Sequence, residues 1–311
     1  MESRECLSKK TRCLNSERIK NCQKAQIIDE LRPDFQLEIL LTVAQISSSS
    51  YYYARNQKIK NDDAELINLI ITIKKRDKNM GYVSVTTALR RDYHQIVNHK
   101  KVYRIMVESG LLGTLYNQKA RKYHSFNAEK DTNQPNRINN RFGTDRPGQK
   151  IANDITEFKA KDGTKAYLSA YLDMFSGEIV SYQISEHPNT ALVLKPLKEY
   201  VKQRPDYNYR MTVHTDHGVQ YTSGQYKTYL KTHKIFQSMS RKGKPRDNAP
   251  IESFFHLLKI ATIHSNEYET YSDMKAAIDE WIYYYNNKRY KEKLGGLSPV
   301  EYRVKHTEKI A

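Results

Sequence analysis

Cysteine is scarce in this chain: its 311 residues hold three, Cys6, Cys13 and Cys22, all near the N-terminus. An odd number without paired spacing excludes a disulfide framework, and the lack of a Cys-x-x-Cys pair argues against a structural zinc site. Long apolar runs are missing too. No stretch approaches the roughly 18 residues of a membrane span, and the polar N-terminus has no apolar core of a secretory signal. The expectation is a cytoplasmic protein with no membrane partner. Acidic residues are in short supply, 35 against 52 Lys and Arg, which leaves a formal charge of +17. Such an excess favours a polyanionic partner and binding that weakens with salt.

The excess is uneven. Residues 1–142 carry 26 Lys and Arg against 15 Asp and Glu, and residues 143–311 carry 26 against 20. Residues 1–60 form a charged, partly helical segment. Its apolar stretch from Leu37 to Ile46 ends at Ser47, and the serine run before Tyr51 is compatible with a loop or with a helix start. Residues 61–113 read as a small all-helical domain. Leu66, Ile67, Ile70, Ile71 and Ile73 make one stripe, Gly81 breaks it, and Val85, Ala88 and Leu89 carry a second helix. Asn98 can cap a third, with Val102, Ile105 and Met106 on its apolar side and Gly110 as its stop. Lys100, Lys101 and Arg104 make that last helix basic. The pattern fits a helix-turn-helix-like DNA-binding domain, or a plain bundle with a solvated basic face. Residues 114–148, with Pro135 and Pro147, read as a basic linker.

From Lys150 the pattern turns to period two. Strands are expected at 151–159, 166–174 and 178–185, joined by turns at Asp162-Gly163 and Ser176-Gly177. A helix at 190–202 contains Pro196, a potential kink. Short strands at 211–215 and 236–239 alternate with helices at 223–234, 251–263 and 272–285. Three antiparallel strands followed by alternating helix and strand predict an α/β, ribonuclease H-like core over 149–306, with a mixed five-stranded sheet. A short tail, 307–311, follows.

Three carboxylates stand out on separate elements of that core. Asp154 shares a strand face with Ala152, Thr156 and Phe158, while Glu157 points the other way. Asp is depleted in strands, and an acid among apolar neighbours needs a partner or a metal. Asp216 follows the fourth strand, where α/β sheets gather ligands, and Gly218 lets the chain turn tightly after it. Glu252 opens a helix for which Asn248 is the candidate cap and Pro250 fits the first turn. At helical spacing Phe254, Leu257, Leu258 and Ala261 fall on one side, and Glu252, His256 and Lys259 on the other. Asp173, in the second strand, is the alternative acid, better suited to accepting structural hydrogen bonds. His214 and His217 lack downstream partners for zinc. Three carboxylates of this kind can converge on two divalent ions about 4 Å apart, which activate the attacking oxygen and stabilise the leaving one in phosphoryl transfer. Oxygen ligands suit Mg²⁺. Lys259 is placed to grip a DNA phosphate, as is the basic segment holding Arg241, Lys242, Lys244 and Arg246.

At these residues the chain resembles the insertion-sequence DDE transposases with a retroviral-integrase-like core. More narrowly, it resembles the bacterial branch whose two reading frames are joined by ribosomal frameshifting. Asn153-Asp154-Ile155-Thr156 is similar to the first-aspartate motif of that branch, and His214-Thr215-Asp216-His217-Gly218 through Ser223 to the second. Ser238 through Gly243 and Asp247 through Phe255 are similar to the third, with Lys259 where the branch has a basic residue. Tyr285-Asn286-Asn287-Lys288-Arg289 and Leu297-Ser298-Pro299-Val300-Glu301-Tyr302 resemble its C-terminal signature. Ile151-Ala152-Asn153 departs from the family, which often has an aromatic and a second polar residue before the aspartate. No leucine-heptad segment is evident, so the chain resembles the second-frame product.

The resemblance implies cleavage and strand transfer of DNA, with Asp154, Asp216 and Glu252 holding two Mg²⁺ ions for which Mn²⁺ can substitute. It implies DNA contacts by Lys259, His256, Arg241, Lys242, Lys244, Arg246, Lys100, Lys101 and Arg104. Duplex DNA at element ends and target, a homo-oligomer on that DNA, the first-frame product and a nucleoid-associated location are the implied partners and place. The other reading is a catalytically silent DNA-binding regulator of the same element.

Overall fold

The computed structural model describes residues 21–58, 63–113, 134–241, 244–263 and 267–307. The chain divides into two compact units, Met1–Thr72 and Ile73–Ala311. In the first, α1 (Asn21–Leu31), α2 (Leu37–Ala44) and α3 (Ser48–Lys58) bury Ala25, Ile28 and Leu31 with Leu40, Ala44, Tyr51 and Ala54. Spacings of three and four residues give each helix one apolar stripe. The serine run proves to be helical. Ser47 Oγ accepts a hydrogen bond from Ser50 N at 3.1 Å, which satisfies one of the free donors of the first turn of α3. Lys24 donates to Ala44 O at 2.7 Å, at the carbonyl end of α2 where a cation is favoured. α4 (Asp63–Arg76) follows. Cys6 and Cys13 lie outside the described residues.

In the second unit, α5 (Tyr82–Tyr93) and α6 (His99–Glu108) pack together and bury Val85, Ala88 and Leu89, and Val102, Ile105 and Met106, as expected. Asn98 Oδ1 accepts from Lys100 N at 2.8 Å and caps α6. Gly110 turns the chain away with φ at +65°. Of the expected linker, 114–133 lies outside the described residues. The remainder packs on the sheet. Ile138 is buried, Arg137 N donates to Ser238 Oγ at 2.9 Å, and Asn136 Nδ2 donates to Asp247 Oδ2 at 2.8 Å.

β1 (Lys150–Lys159), β2 (Lys165–Asp173) and β3 (Ile179–Ser185) form an antiparallel meander. β4 (Thr212–Thr215) pairs in parallel with β1, and β5 (Phe236–Met239) with β4, for an order of β3-β2-β1-β4-β5. This is the mixed five-stranded, ribonuclease H-like sheet that the order of elements predicts. The period of two splits β1 between two cores. Ile151 and Ile155 meet α7 (Thr190–Gln203), α8 (Val219–Thr222) and α9 (Gly224–Thr232). Ala152 and Phe158 meet α10 (Ala249–Ala261) and α11 (Tyr271–Asn287). α7 remains one helix through the buried Pro196. The helix expected at 223–234 begins a turn early as α8 and restarts at Ser223, whose Oγ accepts from Tyr226 N. α12 (Pro299–Thr307) opens on reciprocal caps: Ser298 N donates to Glu301 Oε2 at 2.8 Å, and Glu301 N donates to Ser298 Oγ at 3.3 Å. No described helix is long and apolar enough to cross a membrane.

Candidate active site

Asp154 sits at the middle of β1, opposite Ala170 of β2. Its Oδ1 accepts a hydrogen bond from Ile155 N at 2.8 Å. Burial and the charge of Asp216 push its pKa up to about 7, with Glu252 adding to the rise and the Ile155 amide and Lys259 opposing it. Asp216 follows β4, and its Oδ1 accepts from Gly218 N at 3.0 Å. A Cβ on Gly218 would stand 3.1 Å from that oxygen and 3.0 Å from Gln220 Oε1, so a side chain there would crowd the aspartate. The protein behind Asp216 raises its pKa although its outer side meets solvent. A cavity of about 200 Å³ is lined by Asp154, Asp216, Glu157, Gly218, Gln220 and Tyr221, among others. Glu252 lies outside that lining, exposed in the first turn of α10, and partial burial raises its pKa. Among the described residues no three His, Cys, Asp or Glu side chains are close enough together to hold a metal ion.

The neighbouring groups have defined partners. Lys259 Nζ lies 5.6 Å from the centre of the Phe158 ring. Burial lowers its pKa while the charges of Asp154 and Glu157 hold it up. Glu157, on the opposite strand face as expected, still edges the cavity, and its carboxylate is paired with Lys165 at 2.9 Å. Asp173 is buried and accepts from Gly148 N and Phe175 N, which makes it a structural acceptor. Both histidines are engaged: His214 lies 2.8 Å from Ser238 Oγ, and His217 Nε2 donates to Ser240 O at 2.6 Å. Arg241 is bound through Nε and Nη2 to the buried Asp247 at 2.9 and 2.8 Å, so the basic segment is tied back to the core at its start. Lys244 and Arg246 are exposed, and Lys242 lies outside the described residues.

Asn248 corrects an expectation. Its side chain makes no capping bond to α10. Its Nδ2 donates instead to Asn153 O at 3.3 Å, which ties the start of the glutamate helix to the aspartate strand. A turn of 3₁₀ helix, Pro245–Asn248, precedes α10 and removes the need for a side-chain cap there. Leu257 is only partly buried, whereas Phe255 and Ile260 are buried, so the apolar side of α10 is broader than a single stripe.

Comparison with known proteins decides the family. Models described as integrase core domain match residues 144–245 and 252–306, and one described as HTH-like domain matches residues 60–119. InsK for insertion sequence element IS150 of Escherichia coli K12, a transposase by name, is 38% identical over 280 residues, 89% of this chain and 97% of its own length. The chain belongs to the insertion-sequence transposases. The transposase for insertion sequence element IS904 of Lactococcus lactis is 34% identical, over 71% of this chain and 86% of its own. Among solved structures, the HTLV-2 integrase catalytic core domain in complex with magnesium covers 50% of this chain and 95% of its own, at 16% identity and a TM-score of 0.40, too loose a likeness to bear on mechanism.

The transposase holds its other predicted DNA-contacting residues apart from this cavity. Lys100 is exposed on α6, Lys101 partly buried, and Arg104 lies 3.0 Å from Glu108 one turn on. His256 is exposed one turn after Glu252. Two features escape a reading of the sequence. Tyr221 lines the cavity, is buried, and its hydroxyl has no hydrogen-bond partner among the described residues. Five residues after an aspartate, with no polar partner marked near it in the sequence, a tyrosine reads as core, and its ring does join the core. The C-terminal signature has structural duties. Asn286 holds Ile179 through both its amide groups at 2.9 Å, Arg289 pairs with the buried Asp77, and Glu301 receives Arg91 at 2.8 and 3.0 Å.

Proposed function

We propose that the transposase cleaves and joins DNA strands through Asp154, Asp216 and Glu252, with magnesium as cofactor and manganese as a working substitute. The observation that supports this reading most is the pairing of Asp154 with Asp216 around one cavity. A carboxyl group raised to about 7 is stored there beside a second acid, and no described side chain hydrogen-bonds to either. Two adjoining carboxylates whose charged forms are disfavoured by burial gain from a cation between them. Hard oxygen donors in that number fit Mg²⁺, which takes one or two carboxylates and fills its shell with water and phosphate oxygens. Asp154 and Asp216 would hold the metal, and Glu252 would complete the site from the exposed end of α10 once DNA is in place. When bound, the metal supplies charge stabilisation for the attacking and leaving oxygens of phosphoryl transfer.

The remaining work belongs to the chain. Lys259, held beside Asp154, attracts a backbone phosphate. The buried Tyr221 hydroxyl donates to an oxygen brought into the cavity. Arg241, Lys242, Lys244, Arg246 and His256 contribute contacts to the DNA backbone, and Lys100, Lys101 and Arg104 hold it on α6. Water first cuts at the element's end, and the freed 3′-hydroxyl then attacks a second phosphodiester, so that positioning suffices without a covalent protein intermediate. The transposase works on duplex DNA as a homo-oligomer, in company with the first-frame product of its element.

The test is strand cleavage of a duplex carrying the element's end. Asp154→Asn, Asp216→Asn and Glu252→Gln should each lose cleavage by about a thousandfold or more, while binding the duplex as well as the parent chain does. Cleavage at the parent rate by any of the three would remove that residue from the site.

A further inference from the structure

The three-helix unit before the HTH-like match has no part in the reading above, yet its last two helices repeat that domain's architecture. α2 and α3 are joined by Gln45, Ile46 and Ser47. Gln45 takes the left-handed conformation (φ 54°, ψ 42°), and its amide and that of Ile46 return to Thr42 O and Leu41 O. Ser47 then caps α3. In the HTH-like domain, α5 ends on His94, also left-handed (φ 53°, ψ 22°), Gln95 N returns to Leu89 O, and Asn98 caps α6. A residue other than glycine is uncommon in that conformation. Here one stands at the same place in both connections, after the first helix and before a side-chain-capped second. Two helices joined by a short turn, three residues here and five (94–98) in the HTH-like domain, are the frame of a helix-turn-helix, whose second helix enters the major groove.

The composition of α3 suits that role. It carries Arg55 and Lys58 and no acid; Arg55 Nε lies 3.4 Å from Asp29 Oδ1 of α1, and Glu30, Asp34 and Glu38 lie on α1, on α2 or between them. Its inner face, Tyr51 and Ala54, is in the core. Its outer face presents Ser49, Tyr52 and Tyr53 at i, i+3 and i+4, with Tyr52 44% and Tyr53 68% exposed. Hydroxyl groups dominate that face. They can donate to phosphate oxygens and read base edges.

We propose that α3 is a second DNA-reading helix, which docks in the major groove of the element's end through Ser49, Tyr52 and Tyr53. The identity of that DNA rests on the transposase reading. The DNA contact itself does not. The experiment is a dimethyl sulfate footprint of the full chain on a duplex carrying the terminal repeat, with a scrambled duplex of the same length as competitor. The parent chain should protect two groups of major-groove guanines. The double variant Ser49→Glu, Tyr53→Glu should lose one group, and Lys100→Glu, Lys101→Glu the other. Preference for the repeat over the scrambled duplex should fall about tenfold in the first variant. Tyr53→Ala alone, at a largely exposed side chain, serves if the double variant does not fold, and should weaken the same guanines. An unchanged footprint and preference in a folded α3 variant would overturn the proposal. So would a loss of self-association by sedimentation with both footprints intact. Asp154→Asn should keep both groups, so a failure of the catalytic reading appears separately, as unchanged cleavage.

Discussion

A buried hydroxyl with no partner costs about 1–3 kcal/mol of stability, and Tyr221 carries one beside Asp154 and Asp216. Both carboxylates raise its pKa further, after burial itself. Tyr221→Phe removes only the oxygen. The variant should melt no lower than the parent, bind DNA equally, and cleave about tenfold more slowly in a single turnover, the loss expected for one neutral hydrogen-bond donor to the reacting phosphate. An unchanged single-turnover rate would show that the hydroxyl takes no part. Single residues were legible in the sequence where chemistry contradicted the pattern. An aspartate in a strand stood out, and so did Asn98 as a cap. Residues that satisfy the pattern were hidden. Tyr221 looks like any core aromatic, and Asn248 looks like a cap because only the fold brings Asn153 O within its reach.

At the level of elements, α5 and α12 are joined by Arg91 and Glu301, 210 positions apart. The Arg91 guanidinium, helped by the Ser298 amide and hydroxyl, holds the Glu301 carboxyl down at about 2 against partial burial. A carboxyl whose folded value lies below its unfolded 4.5 stabilises the protein above that pH and loses the contribution as pH falls from 4.5 towards 2. Glu301→Gln should therefore lower the unfolding free energy by about 0.5–1 kcal/mol at neutral pH, the scale of a half-exposed pair. The gap between variant and parent, read from urea melts, should close as pH drops through that window. A gap that stays constant would contradict the assignment. Strands and most helices were legible because their periods are local: β1 alternates, and α6 repeats Val102, Ile105 and Met106. The cross-chain duties of Arg91, Asp77 and Arg289 were not, since nothing local marks a pair so far apart in sequence. The serine run was undecidable for a related reason, because serine serves loops and helix starts alike.

On the scale of the whole molecule, the basic balance and the order of elements were enough to predict a nucleic-acid-handling, ribonuclease H-like core, since charge and strand order are properties of the entire chain, and the integrase family came from the resemblance of the motifs around Asp154, Asp216 and Glu252. The geometry around the acids needed coordinates. It leaves Asp154 destabilising in its charged form. Its folded pKa is raised from 3.8 to about 7, so folding takes up a proton, and the stability it contributes declines as pH rises through that interval. Binding a divalent cation would reverse the penalty. The most direct measurement is thermal melting of the parent chain and of Asp154→Asn at about pH 8, in EDTA and in Mg²⁺. In EDTA the variant should melt higher than the parent. Mg²⁺ should raise the parent's melting temperature and leave the variant's nearly unmoved. An equal rise in both proteins, or none in either, would contradict a cation site built on Asp154.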